Sequence, residues 1–269
     1  MTKIKDNCVL ITGGASGIGR IMGRMALEKG ARKLVIWDIN EQSIAATEAE
    51  FAKLGDVKGY VVDVANDEAI DKAYADTCRD CGAVDILINC AGIVTGNKCF
   101  DEQTKRDIHR TMDINATAPM MIALKALPDM IARDHGHICN IASAAGMIAN
   151  PRMSVYAASK WAVIGWSDSV RIELQERGSN VHITTVAPYY INTGMFDGVR
   201  SRVFPILEPE STCRKILKAI ENNTNFRGIP WSSHFIRFWQ GVLPTSWFDT
   251  IMGRWIGIYS TMDHFTGRK

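Results

Sequence analysis

Asn7-Cys-Val-Leu-Ile-Thr-Gly-Gly-Ala-Ser-Gly-Ile-Gly19 is the stretch on which the fold turns. Asn7 to Thr12 is a short apolar run, the pattern of a strand buried on both faces of a parallel sheet. A glycine turn follows without a break. A helical pattern then runs through Ile21, Met25, Ala26 and Leu27, and Gly30 suits its C-terminal cap. Strand, glycine turn and helix are the context that a dinucleotide loop requires. Gly13 permits the tight turn. Gly17 and Gly19 let a pyrophosphate approach the backbone and let the helix pack on the strand. The helix N-terminus offers free N–H groups and the positive end of its dipole. The spacing is Gly-x-x-x-Gly-x-Gly, not the more usual Gly-x-Gly-x-x-Gly.

Outward from this turn, strand and helix patterns alternate. Leu34 to Trp37 reads as a second strand with Asp38 at its carboxyl end. An acid about 20 residues past the turn can bond the adenosine ribose hydroxyls and repels a 2′-phosphate. No Lys or Arg lies within Gly13 to Gly19, and Ile39-Asn40 follow Asp38, so NAD is expected over NADP. Glu41 to Leu54 is an amphipathic helix. Gly59 to Val62 is a third strand, leaving Asp63 and Val64 where an adenine would lie. A helix over Glu68 to Cys81 precedes a fourth strand, Val84 to Asn89, and the small residues Cys90-Ala91-Gly92. Thr104 to Leu127 reads as helix interrupted by Pro119. It holds Asn115, whose position needs a reason, such as a water link to Lys160 or a bond to freed backbone. Gly136 to Ala142 is the fifth strand and Asn180 to Ala187 the sixth. The expected fold is α/β: a Rossmann-type, doubly wound parallel sheet in three layers, with ligands beyond the carboxyl ends of the strands.

The chemistry gathers between Ser143 and Lys160. Tyr156 and Lys160 stand four apart, on one face of a helical pattern that stops near Gly178. An ordinary phenol, with a pKa of about 10, transfers protons poorly near neutrality. A nearby lysine cation is expected to lower it. A tuned phenol can give a proton to a carbonyl oxygen or take one from an alcohol. The Ser143 hydroxyl could bond the same oxygen. Tyr-x-x-x-Lys is also common on ordinary helix surfaces, so the pair gains meaning only beside a hydride carrier.

Composition sets the bounds. The chain has 269 residues, a net charge of +2 and nearly half its residues apolar, enough for a well-filled core with no basic stretch for nucleic acid. Seven scattered cysteines suit a reduced, cytoplasmic setting. Cys78 and Cys81 are the only close pair, and nothing at zinc-ligand spacing accompanies them, so no metal is expected. No secretory signal is read before the strand at Cys8, and no apolar run reaches the roughly 20 residues of a membrane span.

Together these motifs resemble the classical short-chain dehydrogenase/reductases, from Lys5 to about Pro230. Thr12 to Gly19 matches the family's Thr-Gly-x-x-x-Gly-x-Gly, and Asn89-Cys-Ala-Gly92 its Asn-Asn-Ala-Gly. Asn115, Ser143 and Tyr156 to Lys160 match its asparagine, serine and Tyr-x-x-x-Lys. Cys90 departs from the second asparagine, and Tyr189-Tyr190 follow Pro188 where the family usually has glycine. The resemblance implies a catalytic set of Asn115, Ser143, Tyr156 and Lys160. Tyr156 would be the general acid/base and Ser143 would orient the substrate oxygen. Lys160 would hold the nicotinamide ribose, and Asn115 would support it through water. It implies a cofactor site of Gly13, Ser16, Gly17, Ile18, Gly19, Asp38, Asp63, Val64, Asn89, Ala91 and Gly92. Tyr156, Lys160, Pro188, Ile191 and Thr193 complete that site. The competing reading is a catalytically weak NAD-binding sensor or scaffold. Such members typically lose the tyrosine or lysine, and this chain keeps both.

The family usually places a substrate lid at about 193–212. Here Met195, Phe196, Val199, Val203, Phe204, Ile206 and Leu207 make it apolar. With Ser143, Met153, Tyr156 and Tyr189 they suggest a pocket for a lipophilic secondary or long-chain alcohol, such as a hydroxysteroid or retinoid. Residues 231–269 form an apolar extension with Trp231, Trp239, Trp247, Trp255 and Met252, split by Pro244 into two short helical pieces. Down to Met262-Asp-His-Phe-Thr-Gly-Arg268 it resembles the tails of retinol and 17β-hydroxysteroid dehydrogenase-like members. It could cover the pocket, bury an interface of a homodimer or homotetramer, or rest on a membrane surface. A subunit contact plus pocket wall is the favoured reading.

Overall fold

A computed structural model describes residues 1–95, 97–201, 204–263 and 265–267; Val203, His264, Arg268 and the side chain of Met252 lie outside the described residues. Seven parallel strands form one sheet: β1 Cys8–Thr12, β2 Lys33–Asp38, β3 Val57–Val61, β4 Ile86–Asn89, β5 Gly136–Ile141, β6 Val181–Pro188 and β7 Phe226–Ile229. Their order is β3-β2-β1-β4-β5-β6-β7, so the winding reverses between β1 and β4. Six of these strands match the expected runs. The seventh has only four residues, with Arg227 and Gly228 at its centre, and carries no apolar pattern to announce it.

Both faces of the sheet are covered. Along β1, Val9 and Ile11 face a core built with Met22 of α1 (Gly17–Glu28), Phe51 of α2 (Glu41–Phe51) and Ile216 of α7 (Pro209–Glu221). Cys8 and Leu10 face the other core, with Ile70 of α3 (Asp67–Cys81), Ile122 of α5 (Ala118–Ala132) and Leu174 of α6 (Ser154–Glu176). Burial on both faces makes β1 read as a continuous apolar run. Asn40 and Asn66 start α2 and α3 by accepting the N–H groups of Ser43 and Ala69, each at 2.8 Å.

The stretch from Thr104 to Leu127, expected as helix interrupted by Pro119, departs from that reading. Helix α4 covers Lys105–Met112, a π-helical turn covers Asp113–Thr117, and α5 runs on to Ala132. Pro119 sits in the first turn of α5, directly after this π turn. The interruption falls at Asn115 instead.

The extension folds onto the sheet's carboxyl end. Helix α8 (His234–Val242) and the short α9 (Thr245–Phe248) flank Pro244. Ile236, Phe248 and Ile258 are buried with Met147, Ile148, Val163 and Ile164. Trp231, Phe238, Trp247 and Trp255 stay on the outside. Among the described residues no helix is long and apolar enough to cross a membrane.

Candidate active site

The cleft opens where β1 and β4 diverge. Thr12 ends β1, and its Oγ1 accepts the N–H groups of Cys90 and Ala91 at 3.0 and 3.1 Å. This ties the glycine turn to the loop after β4. Gly13 and Gly17 hold φ of +66° and +52°, values that favour glycine. A Cβ on Gly13 would lie 3.0 Å from the Ala91 backbone, and one on Gly19 would overlap the Gly13 carbonyl oxygen. Ser16 caps α1 with extended backbone and makes no side-chain cap bond, so the first-turn N–H groups remain open. A bare backbone cradle at a helix N-terminus is what a pyrophosphate needs, and the residues present fit one.

Gly13, Ser16, Gly17, Ile18, Gly19, Ala91, Gly92, Ser143, Tyr156, Lys160, Pro188, Tyr189, Ile191, Thr193, Met195 and Phe196 all line this cleft. Cys90, Ile141 and Ala142 line it too and were not among the expected residues. Asp38, Asp63, Val64, Asn89, Asn115 and Met153 do not line it. Asp38 stands at the tip of β2, where Oδ2 accepts the Ala15 N–H at 3.1 Å and Oδ1 the Asn40 N–H at 3.2 Å. Its carboxylate thus braces the glycine turn. Asn89 is buried and donates to Asn140 at 2.8 Å. Asp63 caps its own turn by accepting the Ala65 N–H, and Val64 packs in the core beside Trp37.

Asn115 is explained by its backbone bonds. Its Oδ1 accepts the Ile93 N–H at 2.8 Å, and its Nδ2 donates to the Ile93 carbonyl at 2.9 Å and to Ser159 Oγ at 3.2 Å. The π turn points this amide at the exit of β4. A Cβ on Gly92 would lie 3.3 Å from Asn115 Oδ1 and 3.6 Å from Lys160 Nζ, so the asparagine and the lysine converge on one glycine.

Helix α6 buries Tyr156 and Lys160 together. Lys160 Nζ donates to the Ile141 carbonyl at 3.0 Å and lies 5.7 Å from the centre of the Tyr156 ring. The expected lowering of the Tyr156 pKa is reversed. Burial pushes the phenol up to about 12, opposed only by the Ser143 hydroxyl. Burial also brings Lys160 down to about 8. Depth outweighs the neighbouring charge, and the lysine directs its proton to backbone rather than to the phenol. The Cys90 thiol is likewise pushed up to about 12 by burial and stays neutral.

Beyond Ser143 the walls are aromatic. The Tyr156 and Phe196 rings meet edge-on at 6.0 Å, Phe196 and Tyr190 at 5.1 Å, and Tyr189 and Tyr190 at 4.7 Å. Met153 lies behind this wall, buried with Tyr156, Tyr190 and Phe196. Met262, from the extension, is 1% exposed and packs in the same group with Val199. Asn97 Nδ2 holds the Met262 carbonyl at 2.8 Å, and the Asp197 carbonyl accepts the Thr266 N–H at 2.9 Å. The extension therefore packs behind the wall.

Fold and cleft define a Rossmann-type protein with a Ser-Tyr-Lys group at the switch point of its sheet. The chain belongs to the short-chain dehydrogenases, whose family model ("short chain dehydrogenase") matches residues 7–203. Epidermal retinol dehydrogenase 2 of Mus musculus is 35% identical over 272 residues, spanning 99% of this chain and 87% of that protein. Estradiol 17-beta-dehydrogenase 11 of Rattus norvegicus is 34% identical over 253 residues, spanning 93% and 84%. A short-chain dehydrogenase/reductase from Burkholderia phymatum, solved with NAD, superposes with a TM-score of 0.81 at 23% identity, over 94% of this chain and 97% of that one. A metagenomic short-chain oxidoreductase, solved with NADP, gives 0.72 at 24% identity, over 84% and 96%. At these identities the two structures share the fold.

Proposed function

We propose that the chain is an NAD-dependent oxidoreductase that interconverts a lipophilic secondary or long-chain alcohol and its carbonyl. The observation that carries this reading is the placing of Ser143, Tyr156 and Lys160 in one cleft, between a bare glycine cradle and an aromatic wall. A bound nicotinamide dinucleotide would supply the hydride carrier. Gly13 to Gly19 would hold its pyrophosphate, Asp38 the adenosine ribose, Lys160 the nicotinamide ribose, and Pro188, Ile191 and Thr193 the nicotinamide end. Asp63 and Val64 would flank the adenine, and Asn89, Ala91 and Gly92 the inner side.

Tyr156 gives its phenol proton to a carbonyl oxygen in reduction and takes the hydroxyl proton in oxidation. Ser143 donates to the same oxygen and fixes its position. A raised phenol pKa keeps Tyr156 protonated near neutrality, the form that carbonyl reduction needs. Asn115 holds the Ile93 backbone and, through it, the loop that Lys160 faces. The Asp38 carboxylate favours NAD, because a 2′-phosphate there meets a negative charge. Retinol and estradiol, named for the relatives, fit the apolar and aromatic wall in kind. The outward tryptophans of residues 231–269 suit a homodimer or homotetramer contact, with peripheral membrane contact as the lesser reading.

The test is absorbance of the reduced nicotinamide with hydroxysteroids, retinol, long-chain and short polar alcohols, each with NAD and with NADP. Turnover is expected with NAD on a lipophilic class. Tyr156→Phe should lose at least about a hundredfold in kcat while nucleotide still binds. Near-normal turnover in that variant would remove Tyr156 from the mechanism.

A further inference from the structure

Ser159 sits in α6 three residues after Tyr156 and one before Lys160, and it is fully buried. Alanine would suit a helix interior better, so a hydroxyl at this depth needs a reason. A helical serine ordinarily bonds only a carbonyl of its own preceding turn. Ser159 does this and also takes a partner from outside the helix.

The protons around it have one arrangement. The Ile93 N–H can only donate, so the atom it meets at 2.8 Å is Asn115 Oδ1. Asn115 Nδ2 then has two hydrogens for two acceptors, the Ile93 carbonyl at 2.9 Å and Ser159 Oγ at 3.2 Å. Ser159 therefore accepts from Asn115 and gives its own proton to the Tyr156 carbonyl at 2.7 Å. In an α-helix that same carbonyl receives the N–H of the residue four on, which here is Lys160. The bonds thus run from the loop after β4, through the π turn, to the carbonyl that links Tyr156 to Lys160 along α6. A second constraint comes from the loop that carries Ser143. A Cβ on Gly146 would lie 2.7 Å from the Lys160 carbonyl oxygen, so this loop and α6 touch backbone to backbone.

We propose that Ser159 is a positioning residue for the reaction: by joining Asn115 to the Tyr156 carbonyl, it holds the catalytic turn of α6 against the π turn. This rests on the dehydrogenase reading above. Close packing at Gly146 fixes α6 against the Ser143 loop, and the Asn115–Ser159 bond fixes it against the loop at Ile93. Together they set where the Tyr156 hydroxyl and the Lys160 ammonium stand relative to Ser143. Without the Ser159 hydroxyl, one Asn115 N–H is left unpaired at a buried position, and the helix loses its tie to the π turn. A misplacement of about 1 Å at reacting atoms can cost about a hundredfold in rate. The glycine cradle lies between β1 and α1, away from these bonds, so nucleotide affinity does not depend on them.

The experiment uses the full chain, NAD and a lipophilic alcohol, and compares Ser159→Ala, Ser159→Thr and Ser159→Cys. Ser159→Ala should lose about tenfold in kcat, with KM for the alcohol and NADH affinity within about threefold of wild type. Ser159→Thr keeps the hydroxyl and should recover most of that loss. Ser159→Cys is close in size but bonds weakly, and should stay low. A wild-type kcat in Ser159→Ala overturns the proposal and leaves Ser159 as a serine bonded to its own helix. An equal loss in Ser159→Ala and Ser159→Thr overturns it too, because the hydroxyl then does not matter. So does a parallel loss of NADH affinity, which marks a general loosening of the fold. If Ser159→Ala does not fold, the other two variants decide: kcat higher in Ser159→Thr than in Ser159→Cys supports the proposal, and equal values overturn it. A wild type that turns over no alcohol removes the dehydrogenase reading and this inference with it, whereas an active wild type matched by Ser159→Ala removes the inference alone.

Discussion

Lys160 sets function against stability at a single residue. Its ammonium is buried with one carbonyl partner, that of Ile141, and its pKa falls to about 8. A cation disfavoured by the folded state costs stability wherever it is charged. Above pH about 10.5 both folded and unfolded chains are neutral there, and the cost is absent. As pH falls toward 8 the cost grows, and below 8 it is in full force. The shift corresponds to about 3 kcal/mol, from which the bond to Ile141 returns about 1 kcal/mol. Lys160→Met should therefore stabilise the fold at pH 7 by about 2 kcal/mol in denaturant titration, and lose this advantage above pH 10.5. Turnover should fall at the same time. A variant less stable than the wild type at pH 7 would show that the buried cation is not a burden. The sequence placed Tyr156 and Lys160 on one face but gave no measure of depth, and depth decides the direction of both pKa shifts.

At the scale of elements, the glycine turn and helix α6 ask opposite things of glycine. Gly19 lies where α1 leaves the turn, and a methyl there would overlap the Gly13 carbonyl. Gly165 lies inside α6 with nothing within 4 Å of an added Cβ. Gly165→Ala should gain about 0.5–1 kcal/mol from helix propensity. Gly19→Ala should lose about 1–3 kcal/mol from overpacking and weaken nucleotide binding at least tenfold. Thermal midpoints and quenching of protein fluorescence by NADH read both. Tight binding in Gly19→Ala would mean that the turn opens elsewhere and the cradle is not the phosphate site. The turn was legible because its residues are contiguous and each has a local reason. Asn115 was visible as an oddity in a helix and as a match to the family's asparagine, but its partners were not. The π turn that aims it at Ile93 comes from the tertiary demand of the loop after β4, and no periodicity encodes that demand. Strand β7 was missed because Phe226-Arg-Gly-Ile229 is short and mixed, and becomes a strand only against the edge of β6.

Across the whole molecule, the extension joins parts of the chain that are far apart in sequence. Thr261 is bonded by Asn150 and Tyr190, Met262 by Asn97, and Thr266 by Asp197. The loops after β4, before α6 and after β6 thus all meet on the last described residues. Their separations in sequence explain why the composition of the tail suggested three uses and favoured one without naming a contact. The inner face of the extension buries Met262 in one cluster with Tyr156 and Phe196, and the outer face leaves tryptophans exposed. The two faces can be separated by truncating after Ser260, which removes Thr261, Met262 and Phe265 but leaves Trp231, Trp239, Trp247 and Trp255. Losing a buried Met alone costs about 2–5 kcal/mol, so the thermal midpoint should drop. Among the described residues the β1–α1 cradle makes none of the tail's bonds, so NADH affinity should hold. KM for a lipophilic alcohol should rise at least tenfold, while that for a short polar alcohol, which does not reach the wall, should change little. If both alcohols lose equally and NADH affinity falls with them, the tail supports the fold as a whole rather than the pocket. If mass in solution changes while KM does not, the last residues belong to a subunit contact.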